Sequence, residues 1–369
     1  MNMETLSLSP SAPPRSVTVV GAGNIGSHLL PLLARLPALG RVTIVDYAFY
    51  DEPKNLVSQA ITPADLGQPK AVVQAMRLRE INPRLRVTPL VARLENVPWG
   101  ALRADVLVGC LDSRRARRLL SRLAFRLGVP LVDAGVQADG LLARIHVFRP
   151  GEESPCVECS WDERDYETEG EAFSCDGTPV EPAPTNSPAC LGALAAAMQA
   201  IEVSKILVGA WDQVASGREV LIDARSHRHC VSRLIRSPSC RWDHRTFQVR
   251  EVRAAPSALA LGDLFALGIS DLRVEGQVFA RQWACAGCQA AREVFGLRDR
   301  LSVPCPVCGQ GMRALGFHTV GTLTMADIPE GLSSTPLATL GFSSGDIFSG
   351  SIGAEEVHFE LNTQPLSHS

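Results

Sequence analysis

Three Cys-x-x-Cys pairs stand out among the eleven cysteines of this 369-residue chain: Cys156/Cys159, Cys285/Cys288 and Cys305/Cys308. Two thiolates at this spacing can close on one metal ion. No secretion signal accompanies them, so they read as metal knuckles rather than disulfides. Cys285/Cys288 and Cys305/Cys308, with 16 residues between them, offer four thiolates, a closed tetrahedral set that suits structural Zn²⁺. Pro306 and Gly309 are residues that shape such a knuckle. A redox role needs a thioredoxin-like context, which these pairs lack. Cys156/Cys159 needs two further ligands from elsewhere, and Cys110 reads as core.

A second constellation begins at Gly21-x-Gly23-x-x-Gly26, with Asn24 inside it, directly after the β-branched run 16–20. Such glycines let the backbone turn tightly and approach a phosphate, which sits at the positive N-terminus of the next helix. Asp46 follows Gly26 by 20 residues, at the end of the next apolar run, where a carboxylate can accept ribose hydroxyls. On these residues alone NAD is favoured. Asn55, Gln59, Lys70 and Asp112 redirect the reading. Asp112, at the carboxyl edge of a sheet, can hold Mg²⁺ facing a triphosphate. Lys70 can neutralise phosphate charge, and Asn55 can donate to a phosphoryl oxygen. Singly, Lys70 reads as a solvated helix-start lysine and Asp112 as an N-cap. Together, and in this order, they favour a nucleoside triphosphate.

Short strands at 16–20, 41–45, 86–91, 105–109 and 130–133 alternate with helical spacing at 28–36, 70–81 and 113–127. Asn82-Pro83 stops the second helix. The expected fold is a doubly wound α/β domain with a mostly parallel sheet, a Rossmann-like loop, and a small C-terminal zinc-ribbon domain. Residues 1–15 are expected to be a disordered tail, and 16–250 the nucleotide domain. Within it, 151–189 read as a long functional loop, and Asn55 and Gln59 as part of a polar loop. Cys190 opens a further helix to 207, and residues 251–369 carry the ribbon at 283–310. The chain is 46% hydrophobic, enough for a core. Its 36 Lys+Arg against 39 Asp+Glu give −3, which argues against a nucleic-acid surface. The longest apolar runs look too short for a membrane span, and the expected location is cytoplasmic.

This ordered set resembles the ThiF/HesA/MoeB adenylyltransferases, relatives of the ubiquitin-activating enzyme. The matching residues are Gly21/Gly23/Gly26, Asp46, Asn55-Leu-Val-Ser-Gln59, Gly67-Gln-Pro-Lys70, Leu111-Asp112-Ser113, Cys156-x-x-Cys159 and the stretch Leu194 to Leu207. The resemblance covers about residues 16–245. It implies ATP and Mg²⁺ as ligands, and adenylation of the C-terminal carboxylate of a ubiquitin-like or sulfur-carrier protein. It further implies a homodimer, and passage of the acyl group to a thiol or a sulfur donor. A ubiquitin-conjugating-like enzyme is then a further partner, as in bacterial ubiquitin-like conjugation.

The resemblance also implies a second ligand pair after the last helix of the domain. Cys240 and His244 would complete a Cys₃His zinc site, with Cys230 plus His227 or His229 as the competing set. The reactive cysteine falls between the first knuckle and the following helix: Cys175 is the first candidate, and Cys190, at a helix N-terminus, the second. Two departures stand out. Ser58 occupies the position of the family's phosphate-binding Arg, with Lys54, Arg77 and Arg79 as possible replacements. The family's N-terminal helix, with an Arg that reaches a partner's site, is not expected in the short Ser/Pro-rich stretch before the first strand. Alternatives are a sulfur-carrier adenylyltransferase without a thioester step, action on tRNA or a free peptide, and a non-catalytic nucleotide-binding relative.

Overall fold

The computed structural model describes residues 14–51, 53–168 and 187–362. Most of the expected N-terminal tail and Cys175 lie outside them. The chain forms two compact units. The first runs to Leu94 and resumes from Arg103 to Thr246; the second comprises Glu95–Leu102 and the chain from Phe247 onward. The boundary thus falls slightly before residue 250, and a segment that reads as nucleotide domain belongs to the second unit.

In the first unit the strands are β1 (Arg15–Val20), β2 (Leu39–Val45), β3 (Arg86–Leu90), β4 (Val106–Gly109), β5 (Leu131–Gln137), β6 (Leu142–Phe148), β7 (Arg218–Asp223) and β8 (Arg228–Arg233). The helices are α1 (Asn24–Leu33), α2 (Pro53–Ser58), α3 (Lys70–Ile81), α4 (Arg114–Leu127), α5 (Glu163–Thr168) and α6 (Ala189–Leu207). The sheet order is β3-β2-β1-β4-β5-β6-β7-β8. Parallel pairing from β3 to β5 follows the expected alternation, and Val17 of β1 pairs with both Val42 and Val106. Its neighbours Val19 and Val20 are buried too, as in a strand covered on both faces. The chain leaves β1 toward β2 and β3, then returns to β4 on the other side. The carboxyl ends of β1 and β4 therefore flank the switch point where such sheets bind ligands.

The three antiparallel strands β6–β8 are not foreseen by the sequence reading. All six residues of β8 are exposed, so no apolar alternation marks it. Asn55 lies in α2, not in a loop, and is only 4% exposed. α6 also corrects an expectation. It is long and apolar enough to cross a membrane, yet it packs in the core, burying Leu191, Ala195, Ala196, Val203 and Leu207.

The second unit is more than a ribbon. A five-stranded sheet orders Leu323–Thr324, Asp271–Val274, Ile347–Ile352, Glu355–Leu361 and Val249–Val252. It shares a core with Leu261, Phe265, Phe279, Phe348 and Phe359. A separate sheet pairs Phe279–Ala284 with Ala291–Leu297, Arg313–Ala314 and Thr319–Val320, and carries the two remaining knuckles.

Candidate functional site: a nucleotide crevice and two metal clusters

The glycine loop joins β1 to α1. Gly21 has φ +96°, and a Cβ there would lie 2.4 Å from the Cys110 carbonyl oxygen, so the close approach of the β4 end requires glycine. A Cβ on Gly26 would strike the Gly21 carbonyl. Gly23 is different: nothing lies within 4 Å of its Cβ position, and the loop is open there.

Asp46 ends β2 and faces this loop. One carboxylate oxygen accepts from the Ala22 N–H (2.7 Å), the other from the Ala48 N–H (2.8 Å). Burial raises its pKa, the two N–H groups oppose that, Lys70 lowers it and Asp112 raises it. Strands β2 and β4 and helix α3 thus bring the three expected charged groups into electrostatic reach of one another. Lys70 Nζ lies 5.3 Å over the ring of Tyr50, and Asp112 is exposed at the edge.

Tyr50 has no counterpart in the sequence reading. Fully buried, it donates to the Ala22 carbonyl (2.9 Å) and accepts from Gln74 Nε2 (2.9 Å), tying the glycine loop to α3. Gln199 of α6 similarly donates to the carbonyls of Gly109 (2.9 Å) and Val132 (3.1 Å) and so fixes the ends of β4 and β5. Its Oε1 also meets the Cys110 thiol at 3.4 Å. Burial pushes that thiol's pKa up, in keeping with a core cysteine. Arg117 bonds both Asp133 and the Leu111 carbonyl, which holds the turn that presents Asp112. Ser113 caps α4 by accepting the Ala116 N–H at 3.2 Å, so the N-cap role falls to Ser113 and leaves Asp112 available.

Gln59 Nε2 donates to Asn55 Oδ1 (3.2 Å), while its own Oε1 is buried without a partner. Asn24 Nδ2 donates to the Ser187 carbonyl (2.9 Å), and its Oδ1 is also buried and unmatched. Of the possible replacements for the family Arg, Arg77 bonds the Ala60 carbonyl and Asp65, and Arg79 donates to the Val87 carbonyl (2.6 Å). Both are committed to the protein itself, and the Lys54 side chain lies outside the described residues. Cys190 is exposed in the first turn of α6.

On the opposite edge of the sheet, Cys156, Cys159, Cys240 and His244 converge, their donor atoms all within 4.8 Å of one another. Cys156 Sγ lies 3.8 Å from Cys159 Sγ and 3.7 Å from Cys240 Sγ; His244 Nε2 lies 3.5 and 3.4 Å from Cys159 and Cys240. A tetrahedral Zn²⁺ with sulfur at about 2.3 Å sets thiolates about 3.8 Å apart, so this donor set fits zinc. His244 Nδ1 is 2.7 Å from the Ser154 carbonyl, a contact that leaves Nε2 free for the metal. Cys230, the competing ligand, is exposed, and neither His227 nor His229 belongs to the cluster.

Helix α4 grips this centre. Arg122 binds Glu158, inside the knuckle, with two bonds (2.6 and 2.8 Å); Arg126 does the same to Asp243 (2.6 and 2.9 Å). Both guanidinium groups lie over the Trp242 ring, at 4.7 and 3.9 Å.

In the second unit Cys285, Cys288, Cys305 and Cys308 form the other cluster, with Sγ pairs at 3.5 and 3.4 Å. The backbone N–H groups of Cys308 and Val307 lower the Cys305 thiol to about 6, and that of Cys288 lowers Cys285. These are the N–H contacts of a knuckle prepared for thiolates.

A doubly wound sheet with an open glycine loop, clustered charges and a tethered Cys₃His centre defines a nucleotide-binding α/β protein. The chain belongs to the ThiF family, whose model matches residues 14–241. It is 33% identical over 238 residues to a sulfur carrier protein adenylyltransferase of Thermus thermophilus, covering 61% of this chain and 80% of that protein. Over 228 residues it is 29% identical to a molybdopterin-synthase adenylyltransferase of Escherichia coli, covering 61% and 85%. A crystal structure of E. coli MccB with succinimide matches with TM-score 0.50 at 22% identity, over 62% of this chain and 66% of that one, and shares the fold.

Proposed function

We propose that the protein is an ATP-dependent adenylyltransferase that activates the C-terminal carboxylate of a small sulfur-carrier or ubiquitin-like protein. The convergence of Asp46, Lys70 and Asp112 about the open glycine loop carries this reading. The names of the relatives support it. A carboxylate is a poor acylating agent at neutral pH, and bonding its oxygen to the α-phosphorus of ATP, with loss of pyrophosphate, supplies AMP as a good leaving group. Asp46 would orient the ribose, Lys70 would offset charge on the phosphates, and Asp112 would hold Mg²⁺. That ion, when bound, supplies further neutralisation of the triphosphate. Since Ser58 removes one phosphate donor and Arg77 and Arg79 are engaged, Lys70, with Lys54 as the remaining candidate, would carry more of that charge here.

The second step we assign to Cys175, whose thiolate would attack the acyl carbon and release AMP. Its place between the first knuckle and α6 supports this, and Cys190 is the alternative acceptor. A homodimer and a conjugating-like enzyme as receiver belong to the same proposal. Pyrophosphate exchange that requires the partner's intact C-terminus is expected, with tighter binding of Mg-ATP than of NAD by calorimetry. Tighter NAD binding, or exchange indifferent to the partner, would sink the reading. A thiol-sensitive adduct lost in Cys175→Ser is expected for the second step; its loss in Cys190→Ala alone would move the role to Cys190.

A further inference from the structure

The large sheet ends at β8, whose outer edge has no neighbouring strand among the described residues. The Leu234 N–H donates to the Gly217 carbonyl (2.8 Å), so by the two-residue period the even-numbered residues of β8 pair with β7. The N–H and C=O groups of His229, Val231 and Arg233 then face outward. At the end of this strand opens a cavity of about 590 Å³. Arg149, Arg218, Arg233 and Arg236 line it with one carboxylate, Glu153, which is 94% exposed and 3.5 Å from Arg236. Arg149 is braced over the Trp211 ring at 4.3 Å, and the Ser216 hydroxyl is buried there without a partner.

The cavity is separate from the nucleotide crevice. Phe148 pairs with Leu131, the first residue of β5, while Arg218 pairs with Arg233. The ends of β6 and β8 therefore lie at the edge opposite the glycine loop. Its wall at Ser154 and Pro155 leads into Cys156, and the contact of His244 with the Ser154 carbonyl anchors it.

We propose that β8 and this cavity dock an extended acidic segment of a partner protein. The segment's backbone adds a strand to the free edge, and its Asp or Glu side chains enter the cavity, where planar guanidinium groups match carboxylates. A compact polyanion would use the cavity alone. The unpaired strand edge running into the cavity favours a peptide. Excess positive charge there selects against basic and neutral strands that an open edge would otherwise attract.

The test uses the full chain and a short fluorescein-labelled peptide of alternating Glu and Val, read by anisotropy. Binding should weaken with salt, and by at least about tenfold in the double variant Arg233→Glu/Arg236→Glu. Val231→Pro removes an outward N–H without touching the β7 ladder and should weaken binding about fivefold. Unchanged zinc content and melting temperature certify the fold of each variant. Equal binding of the matching Lys/Val peptide, or no binding of the Glu/Val peptide, would overturn the proposal. So would displacement by inorganic tripolyphosphate together with normal binding by Val231→Pro, which would indicate a small-anion site. Pyrophosphate exchange is independent of this result, so either proposal can fail alone.

Discussion

At the carboxyl edge of β1 and β4, Asn24 Oδ1 and Gln59 Oε1 are buried without partners, and Gly23 faces open space. At the other edge of the same sheet, Arg122 and Arg126 meet Glu158 and Asp243 through paired bonds, with Trp242 beneath both. One edge is open at Gly23, with Gln59 Oε1 unmatched and Asn24 Oδ1 packed against Gly192 of α6. The other sets charged pairs against each other around donors for a metal, and there Trp242 Nε1 and the Ser216 hydroxyl are buried without partners. Unmatched buried polar atoms cost stability, and such a crevice persists because the surrounding sheet and helices over-determine it. Helix α4 joins the two: its N-terminal turn follows Asp112, and its C-terminal half clasps the metal cluster.

This contrast predicts that activity and stability separate by edge. If Asp112 holds Mg²⁺ as proposed, Asp112→Ala should lower pyrophosphate exchange by about 10²–10³-fold. Its melting temperature should stay within about 2 °C of the parent, because Ser113 and not Asp112 caps α4. A large fall in stability would break the division.

Next in size is the metal edge. The protein should carry two zinc ions by elemental analysis, and Cys156→Ser should lose one of them. Because the metal closes contacts between distant parts of the chain, melting should fall by more than about 10 °C. Cys305→Ser should lose the other ion. A protein with one zinc, lost on Cys305→Ser, would remove the Cys₃His centre from the comparison.

Arg126→Ala leaves Asp243 without its paired donor and Trp242 without the nearer of its two stacked cations. About 2 kcal/mol should be lost, measured by urea unfolding, with zinc still bound. At the ligand edge, Gly23→Ala should change stability by less than about 0.5 kcal/mol, since its Cβ meets nothing. Mg-ATP affinity should nevertheless fall about tenfold, because a phosphate would approach there. Unchanged ATP affinity would show that the open space at Gly23 is not the phosphate site.

The ligand edge was the legible one. Gly21, Gly23, Gly26, Asp46, Lys70 and Asp112 sit at strand ends or helix starts, where local pattern fixes position. The metal edge was legible only in part. Cys156/Cys159 announces itself by spacing, whereas Cys240 and His244 came from family resemblance. Tyr50 and the pair Arg117–Asp133 carry no local signature, because each acts across elements that meet only in the folded sheet. Asn55 reads as loop because its stretch is polar; in the structure it is buried in a short helix, while Gln59 follows that helix in a bend.

From sequence alone came the alternating βα order, the glycine loop, the charged groups beside it and the three knuckles, since these depend on residue type and short spacing. Tertiary structure decided the rest. It extended the sheet by β6–β8, assigned Glu95–Leu102 to the second unit, chose Cys240 and His244 over Cys230 and its histidines, and set Arg122 and Arg126 against their carboxylates. These outcomes share one physical cause. Apart from the tight hairpins β5–β6 and β7–β8, each is a contact between groups far apart in the chain, and its geometry is settled only in the folded molecule.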